Sequence, residues 1–422
     1  MLIRFRVENF RSIREEQEIS LVASALSEHQ ETLVPAEGYT FELLRAAAVY
    51  GPNASGKSAL FHALSFMRAA VIESHRNWAP DGGVPRTPFA LDADSGFEPS
   101  LFEVDVLIGG IRYEYGFTAD YQRIHEEWLY AYPRGRRQEW FTRDASRDME
   151  FTFNRTLPGE NRSIGLLTRP NSLFLSAAAQ NNHTLLLPIY LWFVQSLWIV
   201  DDSTRGYFER YTVAQCRDET YRNSLLAQLA AADLGINGIE FNEDNTAHEQ
   251  QVQSYAAPLP ALRGKRFLRA SGVRLWHSTD HDDGVSVALP FEQESRGTRT
   301  LFALLGVLNR CLDTGGTVVV DELDQSLHSQ LASRIVGLFI SPDTNPNAAQ
   351  LLFNTHDTNL LSEDILRRDQ VWFTEKTATG ATRLFPLTDF RARKHENLER
   401  GYLQGRYGAI PSLADALGAG QG

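Results

Sequence analysis

The sequence predicts an α/β fold in which sheet strands end in a glycine-rich loop and an acidic pair, interrupted by a large β-plus-helical insertion. Three observations carry that expectation. The apolar run Arg45-Ala-Ala-Ala-Val-Tyr50 leads into Gly51-Pro-Asn-Ala-Ser-Gly56-Lys57-Ser58 and then into residues of helical period. The β-branched run Thr317-Val-Val-Val320 ends in Asp321-Glu322. Lys57 and Asp321 stand 264 positions apart, more than a minimal core needs.

Composition narrows the class. The chain has 422 residues, 43% hydrophobic and 22% charged, which excludes a disordered or collagenous polymer. A net charge of −12 means that any nucleic-acid contact would need a local basic patch. The two cysteines, Cys216 and Cys311, have no CxxC spacing, so a zinc site is not expected and a reducing cytoplasm is. No secretory leader and no membrane-spanning run are read. The apolar segment 185–200 carries Pro188, Gln195 and Ser196 and reads as buried core.

Taken in order, residues 2–8 read as a strand, as does 45–50. Leu60, Leu64, Met67 and Val71 then recur at helical spacing. Phe102, Val104, Val106 and Ile108 alternate with polar neighbours. Gly109-Gly110 turns the chain into Ile111, Tyr113, Tyr115 and Phe117, a hairpin. Residues 120–160 are aromatic and Arg-rich and suit further strands; 166–235 suit helices; 240–284 are polar and read as a lid or surface loops. A helix is expected from about 297 to 312, a strand at 317–320, a helix from about 326 to 339 and a strand at 350–353. The expected divisions are 1–119 and 289–411 as the two halves of one domain, 120–288 as the insertion, and 412–422 as a flexible tail.

Residues Gly51, Pro52, Asn53, Ala54, Ser55, Gly56, Lys57 and Ser58 fit GxxxxGK[ST] between strand and helix. Glycines let backbone N–H groups converge on phosphate oxygens, and the helix N-terminus adds partial positive charge. Lys57 would reach the β- and γ-phosphates of ATP and Ser58 would coordinate Mg²⁺. Such a loop needs a second carboxylate at a neighbouring strand end. Asp321 is placed to hold Mg²⁺ through water, and Glu322 to orient or deprotonate the attacking water. The clusters Asp201-Asp202 and Asp280, Asp282, Asp283 are the alternative metal candidates, though acidic runs in polar loops are usually solvated.

Further motifs sort this loop into a class. Glu294-Ser295-Arg296-Gly297-Thr298-Arg299 precedes a helix, 26 residues before Asp321, and looks like the signature motif of the ABC-class ATPases. Leu351-Leu-Phe-Asn-Thr355-His356-Asp357 resembles their switch-histidine segment, Leu323-Asp324-Gln325-Ser326-Leu327-His328 their D-loop, and Val7-Glu-Asn-Phe-Arg11-Ser12-Ile13 the NFRS segment of the SMC, RecF and OLD ATPases. Their order is similar to the OLD-like, ABC-class P-loop ATPases of bacterial antiphage defence. Val371–Lys376 and Tyr402–Pro411 resemble the AbiLi-like members encoded beside an RloB-type protein.

The resemblance covers roughly 1–118 and 290–411. It implies ATP hydrolysis with Mg²⁺ and a head-to-tail homodimer in which Ser295, Gly297 and Thr298 meet the partner's nucleotide. It further implies His356 as γ-phosphate sensor, Asp324 at the interface and Arg11 near the nucleotide. A separate effector, RloB- or TOPRIM-like, is the implied partner. Two departures stand out. No glutamine lies between Gln30 and Gln122, so the Mg²⁺-sensing glutamine of the class is unassigned. Only 66 residues follow His356, too few for a TOPRIM nuclease domain, so this chain is not expected to cut nucleic acid itself. The alternative is a RecF/SMC-like DNA-binding ATPase of repair, for which Arg134, Arg136, Arg137, Arg143 and Arg147 would supply the basic patch.

Overall fold

The computed structural model describes residues 1–232, 235–241, 250–251, 266–267, 273–278, 286–362, 365–390 and 397–409. In chain order the strands begin with β1 (Leu2–Glu8), β2 (Gln17–Ser20), two short ones, β3 (Val34–Pro35) and β4 (Glu42–Leu43), and β5 (Ala46–Tyr50). After helix α1 (Lys57–Glu73) come β6 (Ser100–Ile108), β7 (Ile111–Ala119), β8 (Ile124–Tyr132), β9 (Gln138–Asp144) and β10 (Phe151–Phe153). Helices α2 (Asn161–Leu167), α3 (Phe174–Gln180) and α4 (Leu187–Leu191) lead to β11 (Leu197–Val200), α5 (Arg205–Gln215) and α6 (Glu219–Ala231). Then follow β12 (Ile236–Phe241), β13 (Gln250–Gln251), β14 (Arg266–Phe267), β15 (Val273–Ser278) and β16 (Ser286–Pro290). The last part holds α7 (Arg296–Thr314), β17 (Thr317–Val320), α8 (Ser329–Ile340), β18 (Gln350–Asn354), β19 (Val371–Lys376), β20 (Thr382–Pro386) and α9 (Leu398–Leu403).

Two sheets organise these elements. The central one has the order β11-β17-β18-β5-β19-β20 and is parallel except for β20. The other is antiparallel, β10-β9-β8-β7-β6-β1-β2. The central strands read as unbroken apolar runs because both faces are covered. Alternate residues serve different cores: Ala47, Val49, Val319, Leu352 and Trp372 pack with α1 and the antiparallel sheet. Ala48, Tyr50, Val318, Val320, Leu351 and Phe353 pack with α5, α7 and α8. On α1, all four residues of the expected stripe, Leu60, Leu64, Met67 and Val71, are buried. Gln350 joins the sheets: its buried amide donates to the carbonyls of Leu2 (2.9 Å) and Leu44 (3.1 Å) and accepts the Leu2 N–H (2.6 Å).

The expected division at 119/120 falls between paired strands, since Tyr115 lies opposite Leu129 and the antiparallel sheet continues to β10. The insertion also returns to the central sheet, where Val200 pairs with Val320 in β11–β17. A hairpin pattern carries no mark of where its sheet stops, and 197–200 was indistinguishable from generic core. The helix expected from 326 begins at Ser329, with His328 accepting the Gln330 N–H at 3.2 Å. Within 240–284, the end of β12 and the whole of β15 are described; with β16 they form an antiparallel sheet. Asp280, Asp282, Asp283 and the tail 412–422 lie outside the described residues.

Candidate functional site

The glycine-rich loop joins the end of β5 to the start of α1, and its glycines are where neighbours come too close for a side chain. A Cβ on Gly51 would meet the Thr374 carbonyl and hydroxyl at 2.5 Å; one on Gly56, at φ +106°, would run into Thr382. The β19–β20 hairpin therefore forms the outer wall of the loop. The buried Ser55 hydroxyl hydrogen-bonds Thr374 Oγ1 (2.6 Å), and Thr382 Oγ1 donates to the Ser55 carbonyl (3.0 Å). Thr382 is tied in turn to Ser12, its N–H donating to the Ser12 carbonyl at 2.7 Å. Sequence reasoning missed Thr374 and Thr382. Thr374 lies in the Val371–Lys376 segment, which carries only a family resemblance, Thr382 lies in no motif, and a threonine in a strand carries no loop-clamping signal.

Lys57 is buried, with Nζ donating to the carbonyls of Gly51 (2.8 Å) and Pro52 (3.1 Å). Burial holds its pKa below the ordinary lysine value against the upward pull of Glu322, Asp321 and Asp324. Ser58 Oγ donates to Asp321 Oδ1 at 2.9 Å. That hydroxyl–carboxylate pair is a hard-oxygen set of the kind Mg²⁺ takes, with water and phosphate completing the shell. Among the described residues no group of three or more His, Cys, Asp or Glu is arranged to hold a metal. Asp201 instead caps its own turn, accepting Ser203 Oγ (2.6 Å) and the Thr204 N–H (2.9 Å); Asp202 pairs with Arg205.

At the end of β17, Glu322 is a non-glycine residue at φ +58°. Such a conformation is strained and persists where surroundings impose it. The buried Asn354 imposes it here: its side-chain oxygen accepts the Glu322 N–H (2.5 Å), its backbone carbonyl accepts the Leu323 N–H (3.0 Å), and its amide donates to Asp321. Asn354 was also missed, since an asparagine before Thr-His-Asp reads as spacer. The His356 N–H faces both carboxylate oxygens of Asp324 at 3.3 Å. Burial, then the Lys57 charge, lowers the His356 pKa.

Arg11, at φ +51°, reaches the same place from the end of β1; its Nη1 lies 2.6 Å from His62 Nδ1 on α1. Burial and the Arg11 charge lower the His62 pKa, so the neutral ring accepts from the guanidinium. Asn53 to Ser58, Arg11, His62, Glu322, His356 and Lys376 line one cavity of about 300 Å³. His62 and Lys376 were not foreseen; Lys376 Nζ donates to the Gly380 carbonyl (2.9 Å) and Thr382 Oγ1 (3.2 Å). Among the described residues that line this cavity there is no glutamine to fill the unassigned sensor role.

Ser295, Gly297 and Thr298 are not brought to this cavity. Ser295 caps α7, its Oγ accepting the Thr298 N–H at 3.0 Å. The three residues line a separate cavity of about 560 Å³ with Ser326, His328 and Arg334, which shares no residue with the first. A Cβ on Gly297 would sit 2.7 Å from the Ser326 carbonyl, so the start of α7 packs against the segment after Glu322 in the same chain.

The five arginines do not form one patch. Arg143 is buried, paired with Glu150 at 2.6 Å and donating to the Ser172 carbonyl at 2.7 Å. Arg147 pairs with Asp144, and Arg137 stacks 3.8 Å over Tyr130. In sequence each reads as a surface cation, because the acid and carbonyls around Arg143 come from other segments. Cys216 and Cys311 are free buried thiols whose pKa values burial pushes up. Among the described residues no helix is long and apolar enough to cross a membrane.

Residues 46–362, more than half of the chain, match a family described as "AAA domain, putative AbiEii toxin, Type IV TA system". No curated protein matches the sequence. Among solved structures the chain is similar to an SMC head domain from Thermotoga maritima, at 13% identity and TM-score 0.39, covering 91% of this chain and 98% of that one. It is also similar to an SMC head bound to the C-winged helix domain of ScpA, at 11% identity and TM-score 0.41, covering 91% of this chain and 96% of that one. The P-loop, its acidic strand end and the α/β sheet that joins them all lie within the matched residues, and the chain belongs to this AAA-domain family.

Proposed function

We propose that the chain is an ABC-class ATPase that binds ATP with Mg²⁺, hydrolyses it, and closes head to tail with a second copy. The observation that carries this reading is the network Ser58–Asp321–Asn354–Glu322 set against Lys57. It supports a reading in which Ser58 and Asp321 are the metal-binding pair, Glu322 the general base and Lys57 the phosphate-binding cation; Lys57, Ser58 and Glu322 line one cavity. The loop N–H groups and Lys57 receive the phosphates, with Lys57 exchanging the Gly51 and Pro52 carbonyls for phosphate oxygens. Ser58 and Asp321 hold Mg²⁺, which neutralises charge on the phosphate oxygens. Glu322 takes the proton of the attacking water, and neutral His356 faces the terminal phosphate. Arg11 adds a second positive charge at the rim.

The separate signature cavity supports a composite site, in which Ser295, Gly297 and Thr298 of one copy close over the nucleotide of the other and Asp324 lies at the junction. The family description refers to a type IV toxin–antitoxin toxin. With the OLD-like motif order, it supports a sensor or regulator of a separate, nuclease-like effector in cytoplasmic antiphage defence. The RecF/SMC-like DNA-binding alternative is weaker, because Arg143 is withdrawn into the core. The test is calorimetry plus phosphate release. Wild type binds and hydrolyses ATP, Lys57→Ala loses binding, and Glu322→Gln binds but turns over at least ~100-fold more slowly. Unchanged affinity in Lys57→Ala refutes the P-loop assignment.

A further inference from the structure

Glu322 is held at two ends. Asn354 fixes its backbone, and Gln325 fixes its side chain, donating from Nε2 to Glu322 Oε2 at 3.0 Å. A glutamine amide can face a carboxylate in two ways, one of them repulsive. Here the choice is made by Arg205, whose Nη2 lies 2.7 Å from Gln325 Oε1. Arginine has only donors, so the amide oxygen must face Arg205 and the NH₂ must face Glu322. The contact spans 120 positions in sequence, between the D-loop and the first turn of α5.

Arg205 is itself anchored. Asp202 pairs with it and lies 3.6 Å from Arg296, the first residue of the signature helix α7. Below that, the buried Glu209 of α5 takes Arg299 of α7 at 2.9 Å, and any side chain at Gly306 of α7 would run into Thr212 of α5. The two helices therefore form one rigid support, and Arg205 projects from it toward the D-loop. Neither Arg205 nor Gln325 lines the phosphate cavity.

We propose that Gln325 and Arg205 are positioning residues for Glu322, together orienting the carboxylate toward the attacking water. The proposal rests on the ATPase reading above. With Oε2 occupied by Gln325, Oε1 is the oxygen left to accept the water proton. The arm takes no part in binding phosphate or metal, so its loss acts on turnover and leaves affinity alone.

The experiment measures kcat, KM and ATP affinity for Gln325→Ala, Arg205→Met, Arg205→Lys and the double variant, each also in a Glu322→Ala background. Gln325→Ala and Arg205→Met lower kcat by about tenfold or more and leave KM and ATP affinity within about twofold. The double variant is no slower than Gln325→Ala, because the two act in series. Arg205→Lys, which still donates to the amide oxygen, recovers part of the loss. In the Glu322→Ala background, Gln325→Ala has no further effect. An unchanged kcat, or an equal fall in kcat with Glu322 removed, overturns the proposal. If the wild-type chain does not hydrolyse ATP, the ATPase reading falls and takes this with it. If it does and Gln325→Ala equals it, only the positioning arm falls.

Discussion

The buried side chain of Asn354 donates to Asp321 across adjacent strand ends, and the other end of the same amide accepts the backbone N–H of Glu322. One asparagine thus holds both acidic residues at this strand end, Asp321 by its side chain and Glu322 by its backbone. It can do so because β18 lies between β17 and β5, level with both.

Asn354→Ala is expected to destabilise the fold by about 1–3 kcal/mol, by stranding the Glu322 N–H and the Asp321 carboxylate. With its anchor gone, Glu322 relaxes from φ +58°. Turnover should fall further than ATP affinity. Denaturant titration and phosphate release check this. Wild-type stability and turnover in the variant would mean the amide is dispensable.

Thr374→Val keeps the shape but removes hydrogen bonds to Ser55 Oγ (2.6 Å) and the Tyr50 carbonyl (3.2 Å). The loop loses its clamp, and ATP affinity is expected to fall about tenfold, equivalent to ~1.4 kcal/mol. Calorimetry on the folded variant decides. An affinity equal to wild type would show that the loop holds its shape without the hairpin.

His356 has its folded pKa lowered from the ordinary 6.5, chiefly by burial. The unfolded chain then takes up the proton first as pH falls. Its contribution is intact above ~6.5 and is lost as pH drops through that value toward the folded pKa. His62, His75 and His183 shift in the same direction. His356→Gln should therefore lose less stability than wild type between about pH 7.5 and 5.5. Parallel stability–pH curves would contradict a neutral His356.

Dimer closure is best probed at Ser295, because the Gly297 position already touches Ser326 of the same chain. Ser295→Asn and Ser295→Asp both keep an acceptor for the Thr298 N–H, so both preserve the α7 cap. In the proposed dimer only the second sets a carboxylate against the partner's phosphates. In a Glu322→Gln background with ATP and Mg²⁺, sedimentation should show a dimer for the first and a monomer for the second. Equal dimerisation would place the signature away from nucleotide.

The strand–loop–helix at 45–73 and the acidic strand end at 317–322 were legible because each is a contiguous pattern with a chemical requirement at fixed spacing. The hairpin at Gly109-Gly110 was legible for the same reason, with Ile108 opposite Ile111. What could not be read is whatever depends on contact between distant segments. Thr382 beside Gly56, Asn354 beside Asp321 and Arg143 inside the core are ordinary residues until strand order is known. The place of β11 in the central sheet was hidden likewise, because that strand declares itself only by pairing with β17.

That strand order also governs how the chain can be made. β5 carries the glycine-rich loop, yet its neighbours are β18 and β19: Ala47 pairs with Leu352 and Val49 with Trp372. During synthesis the apolar strand β5 must wait for β18 and β19, which are made much later. Each pairing closes a loop of ~300 residues, which in entropy costs only modestly more than a shorter one but places the contact late and slows the search. Until then β5 presents open edges of the kind that associate wrongly. The glycine-rich loop is thus translated well before the strands that complete it, so nascent chains released before Lys376 cannot carry a finished site.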